Sequence, residues 1–101
     1  MRFTIRKLCS SIEEYEAMAD ESIDLDSLSL SLSNRPGICV AFSTHVLTIL
    51  FEDEGVVVKL YASGKALVQA NLKKDVELVC SVLVQAIQEG HHSNKSEFRF
   101  I

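Results

Sequence analysis

The sequence predicts an α+β domain: an antiparallel sheet covered on one face by a long C-terminal helix plus a shorter N-terminal helix. Three observations carry this. Four short β-branched, apolar runs follow one another between residues 38 and 70, each bounded by turn residues. The chain from Leu72 to Glu89 then carries one long amphipathic stripe. At 101 residues, 48% apolar and 24% charged, there is material for one ordinary globular core, so residues 1–101 read as a single domain.

The elements follow in order. Arg2 to Leu8 alternates, with Phe3 and Ile5 on one side, which suits a first strand. Ser11-Ile12-Glu13-Glu14 has the form of a capping box, Ser11 accepting from the Glu14 N–H and Glu14 reaching back. It predicts a helix to about Asp20, with Ile12, Tyr15 and Met18 near helical spacing. Residues 21–33 read two ways. Leu28-Ser29-Leu30-Ser31-Leu32 alternates like a strand, while the Asp and Ser content suits a short capped helical turn. The preferred reading is a short helix followed by extended chain.

Asn34-Arg35-Pro36-Gly37 is a turn, proline setting φ and glycine free to take positive values. Strands follow at Ile38–Ser43, His45–Phe51, Val56–Tyr61 and Lys65–Ala70. Glu52-Asp53-Glu54-Gly55 and Ala62-Ser63-Gly64 link them. Asn71 stands where it can cap the last helix, whose stripe is Leu72, Val76, Val79, Leu83, Ala86 and Ile87, with Gly90 at its end. Glu97–Ile101 alternates again and suits an edge strand.

Both faces of such a sheet hold apolar residues. Val56, Val58 and Leu60 oppose Val57, Lys59 and Tyr61; Leu47, Ile49 and Phe51 oppose Val46, Thr48 and Leu50. Helices cover only one face of a two-layer domain. The other is left as a partner surface, unless the 21–33 segment covers it.

Net charge is −4 and the isoelectric point about 5.3. A protein held to nucleic acid mainly through phosphates wants the opposite balance. Cys9, Cys39 and Cys80 are scattered, odd in number and form no C-x-x-C pair. They read as buried free thiols in an intracellular protein, cytoplasmic or nuclear, rather than zinc ligands or a disulfide framework. MRFTIRKLCSS has no apolar core of signal-peptide length, and no apolar run approaches a membrane span.

No reaction is legible. His91-His92 are adjacent and point apart, so no metal is expected there. Glu52, Asp53 and Glu54 suit a solvated turn. Ser10, Ser43 and Ser63 have no His and Asp constellation beside them in sequence, and Ala62-Ser63-Gly64-Lys65 lacks phosphate-loop spacing. The expectation is a non-enzymatic protein without cofactor.

Arg35-Pro36-Gly37-Ile38, then Tyr61-Ala62-Ser63-Gly64-Lys65, then a last strand and a long helix make an ordered set of signals. In that order they resemble a single repeat of the TATA-box-binding protein fold. The Tyr-x-Ser-Gly-Lys turn is also similar to that of the N-terminal domain of type-three ribonuclease H, whose catalytic domain has no counterpart here. The resemblance covers about two-thirds of the chain and is strongest from Val57 to Ile87. The family proper has two such repeats in tandem and kinks DNA with aromatic wedges set in a concave sheet.

The resemblance implies an open sheet that meets a partner, with a role in transcription. Tyr61 aligns with one wedge, whereas the other wedge position, before Pro-Gly, is Arg35. Gln69 and Ala70 stand where the family has Thr and Gly. The first strand lacks the family's Asn, with Arg6 and Lys7 nearby, and His45–Gly55 reads as an extra hairpin arm. The candidate partner-binding residues are therefore Tyr61, Ser63, Lys65, Lys59, Arg6, Lys7, Arg35 and Gln69. Two functions are expected from them. The first is a protein-interaction or dimerisation module with a homo-oligomer or protein partner. The alternative is a domain for DNA or RNA/DNA hybrid, with Tyr61 stacking and the cations at phosphates.

Overall fold

A computed structural model describes residues 1–8 and 14–90. Cys9, Ser10, the Ser11 end of the capping box, His91-His92 and the 97–101 alternation lie outside the described residues. The element order is β1 (Phe3–Lys7), β2 (Glu14–Ala19), α1 (Leu25–Ser33), β3 (Ile38–Phe42), β4 (Val46–Phe51), β5 (Val56–Tyr61), β6 (Lys65–Gln69) and α2 (Lys73–Gly90). The strands form one six-stranded sheet in the order β1-β2-β6-β5-β4-β3, every neighbouring pair antiparallel. The protein is therefore α+β, with a long C-terminal helix and a shorter helix in its N-terminal half.

The core lies between the sheet and the helices. Tyr15, Ala17, Ala19, Leu47, Ile49, Phe51, Val56, Val58, Leu60, Ala66 and Val68 are buried from the strands. From α2 come Val76, Val79, Cys80, Leu83, Ala86 and Ile87, close to the stripe read from the sequence. Leu72 is the departure: it is half exposed and precedes the helix, its carbonyl accepting from the Asp75 and Val76 N–H groups.

The helix expected over residues 12–20 is instead strand β2. Its described residues alternate, Tyr15, Ala17 and Ala19 buried against Glu14, Glu16 and Met18 on the other face. A capping box contributes on the order of 1 kcal/mol. Pairing on both sides, to β1 and β6, while burying three side chains in the core contributes several times that.

The short helix falls later, and it takes in the Leu-Ser alternation expected to be extended. Leu25, Leu28 and Leu32 share one buried face at helical spacing, and Leu30, which fits only the alternation, is 71% exposed. Asp24 caps the helix by accepting from the Ser27 N–H and hydroxyl at 3.3 and 2.9 Å. Its end is set by Pro36, since the residue before a proline is pushed out of helical geometry. Asn34 is the C-cap, and its amide, like the Ser33 hydroxyl, donates to the Leu30 carbonyl. Packed on α2, β3 and β4, α1 lies on the helix face, so the 21–33 segment leaves the second face uncovered.

The run read as an extra hairpin arm, His45–Gly55, is integral to the sheet. Its strand β4 lies between β3 and β5 and contributes Leu47, Ile49 and Phe51 to the core.

Candidate functional site

The face opposite the helices is built by alternation. Pairing registers align its side chains in three rows across the strands. One row runs Glu14, Gln69, Val57, Leu50, Cys39. The middle row runs Arg6, Glu16, Leu67, Lys59, Thr48, Ala41. The third brings Thr4, Met18 and Lys65 in line, with Tyr61 beside Val46 further along. Met18 and Leu50 are exposed (44% and 37%), while Val46, Val57, Tyr61 and Leu67 are half-buried by their neighbours in the sheet. A shallow depression of about 80 Å³ among Glu14, Val57, Lys59, Leu67 and Gln69 marks the middle of this surface.

Its charges are largely matched within the face. Arg6 Nε donates to Glu16 Oε1 at 2.8 Å, and Lys65 Nζ lies 3.7 Å from Glu16 Oε2. Gln69 Nε2 donates to Glu14 Oε2 at 3.3 Å. Both carboxylates come from β2, and both escape a reading that makes this segment a helix. The signal for them was the two-residue period of Tyr15, Ala17 and Ala19.

Five of the eight candidate residues, Arg6, Lys59, Tyr61, Lys65 and Gln69, come together on this face. Three do not. Lys7 follows Arg6 and so points to the opposite side, where its ammonium stands 5.8 Å from the ring centroid of buried Tyr15. Arg35 lies in the turn between α1 and β3, and its Nη2 donates to Glu89 Oε1 of α2 at 2.6 Å, tying the helix layer together. Ser63 belongs to the β5–β6 turn, where its hydroxyl accepts from the Lys65 N–H at 3.4 Å.

That turn has a structural task of its own. Gly64 has φ of 98°, and a Cβ on it would stand 2.7 Å from the Glu21 carbonyl oxygen. The Ala19 N–H donates to the Gly64 carbonyl and the Ile23 N–H to that of Ala62. The Ser-Gly-Lys turn thus holds the β2–α1 connection in place.

Two further grooves flank α2. One, about 450 Å³, runs between β1 and the helix past Phe3, Ile5, Cys80 and Val84. The other, about 280 Å³, lies by Pro36, Ile38, Leu78 and Val82. Among the described residues no polar or charged side chain is buried, and no three His, Cys, Asp or Glu side chains converge as metal ligands. Burial, aided by Glu77, pushes the Cys80 thiol up to about 11. The hydrogen bond that Cys39 Sγ donates to Glu52 Oε2 at 3.0 Å raises its thiol pKa as well. Among the described residues no helix is long and apolar enough to cross a membrane.

No family model, curated protein or solved structure matches this chain.

Proposed function

We propose that this chain is a non-enzymatic, intracellular interaction module that docks a protein partner on its open sheet face. The carrying observation is the composition of that face. Among the described residues, Met18, Val46, Leu50, Val57, Tyr61 and Leu67 lie on it under no helix, while Glu16 is shared between Arg6 and Lys65. A surface with apolar body and internally matched charge suits a protein partner. A polyphosphate would have to compete with Glu16 for two of the three cations there. The free thiols of Cys39 and Cys80 suit a reducing compartment.

The fold supports a TBP-like reading of the module. From β2 onward the order is strand, helix, a run of antiparallel strands and a long helix, as in the repeat that the two turn motifs resemble. In this reading β1 is an addition that pairs along β2. The nucleic-acid alternative keeps Tyr61 and Lys59 on the open face as its support.

Selection of displayed peptides on the wild-type chain tests this proposal, with Leu67→Glu and Leu50→Glu as counter-targets and Leu30→Glu on the far side of the protein as control. Peptides that bind wild type and Leu30→Glu but lose the two face variants support it. Peptides indifferent to both face variants refute it. Duplex DNA or RNA/DNA hybrid binding that is lost in Lys59→Ala and Tyr61→Ala and falls steeply with salt would establish the alternative.

A further inference from the structure

We propose that two copies of this chain pair antiparallel through β3, about a twofold axis at Val40, joining their sheets into one. The inference rests on the sheet edge and is independent of what the open face binds.

Among the described residues, β3 is a terminal strand, paired on one side only, to β4. The ladder fixes which of its backbone groups are spare. The Ser43 N–H donates to the Val46 carbonyl, and the Glu52 N–H to the Gly37 carbonyl. Hydrogen-bonded pairs alternate along an antiparallel ladder. In the β3–β4 register, therefore, Cys39 and Ala41 also turn their N–H and C=O toward β4. Ile38, Val40 and Phe42 turn theirs outward.

An exposed strand edge is a template for another strand, and sheets usually guard it with charge, proline or a bulge. The opposite edge, β1, is guarded: Arg6 and Lys7 are within the strand and Arg2 precedes it. β3 is Ile-Cys-Val-Ala-Phe, without a charge or a proline. Its outward set is also self-complementary. With Val40 on the axis, Val40 meets Val40 of the other copy and Ile38 meets Phe42, and every outward N–H on each copy finds a carbonyl. The same pairing sets the side chains of Ile38 and Phe42 against each other on the helix face, where Phe42 is 43% exposed in the single chain. Among the described strands, closure about a twofold leaves only the cationic β1 edges free, which stops growth at two.

Sedimentation equilibrium from micromolar to millimolar protein is expected to approach twice the 11.2 kDa chain mass. Val40→Pro removes an outward N–H and none that bonds β4, so it is expected to return the mass to one chain with native circular dichroism. Ala41→Cys keeps the test sharp should the proline variant unfold. In the proposed register position 41 lies opposite Cys39 of the other copy in a non-hydrogen-bonded pair, within disulfide reach. Mild copper–phenanthroline oxidation of Ala41→Cys should therefore give a covalent dimer. Wild type, whose two Cys39 residues stand diagonally, should not. A single-chain mass throughout the range overturns the proposal. So does a dimer of the Ala41→Cys variant that does not cross-link. Leu67→Glu is expected to leave the dimer intact, so this inference and the open-face reading fail separately.

Discussion

Gly64 passes beneath Glu21 so closely that the Glu21 carbonyl oxygen stands 2.7 Å from where a Cβ would project. The backbone there also has a positive φ, which costs any L-residue on the order of 1–3 kcal/mol. Gly64→Ala is therefore expected to lower stability by about 2–4 kcal/mol in urea unfolding. An unchanged midpoint would mean that the β2–α1 connection is not held by this turn.

Leu28 and Leu30, two residues apart, report the conformation of α1. Leu28 is 1% exposed and Leu30 71% exposed. Leu28→Ala should cost about 2–5 kcal/mol, and Leu30→Ala about 0.5 or less. Were the segment extended, both residues would share one face and the two costs would be alike.

Glu16 sits between Arg6 and Lys65. Glu16→Gln removes the shared anion and leaves both cations to solvent. Weak, non-specific DNA binding is expected to strengthen in this variant, its salt slope steepening by about one to two units. Anisotropy titrations over a series of salt concentrations measure this. A slope equal to that of wild type would show that the pairs do not restrain these side chains in solution.

The two described cysteines should differ in how they respond to mutation and to pH. Cys39 is exposed, but its bond to Glu52 favours the neutral thiol, so Glu52→Gln should speed its alkylation near pH 8. Cys80 is buried and should alkylate only on unfolding. Its folded pKa of about 11 lies above the 9.0 of an unperturbed thiol. The folded state then holds its proton where the unfolded state has lost it. This contribution to stability is intact below about pH 9 and declines as pH rises through about 11. Cys80→Ala should flatten that decline. An identical alkaline limb in the variant would sink the assignment.

Arg35 carries a smaller expectation. Its pair with Glu89 is partly exposed, so Arg35→Ala should cost about 1 kcal/mol or less and leave open-face binding unchanged. Loss of peptide binding by the folded variant would return Arg35 to the partner surface.

Local pattern alone determined the sheet from residue 38 to residue 69 and the helix that follows it. There the period of side-chain burial, the turn chemistry at Gly37, Gly55 and Gly64, and β-branched composition all agree, and hairpins need only near neighbours. Lys59 and Tyr61 could be placed on one face for the same reason, whereas Arg6 joins that face only through β2. Only the tertiary structure decided residues 14–33. Glu14–Ala19 becomes a strand because β6, some fifty residues onward, and β1 offer it two edges at once, which outweighs a local cap. Leu25–Ser33 becomes a helix because α2 and β3 give Leu25, Leu28 and Leu32 a common surface to bury against. The neutralising role of Glu16 followed from that same choice. It depends on which strand lies beside β6, a contact between residues far apart in sequence that no local period encodes.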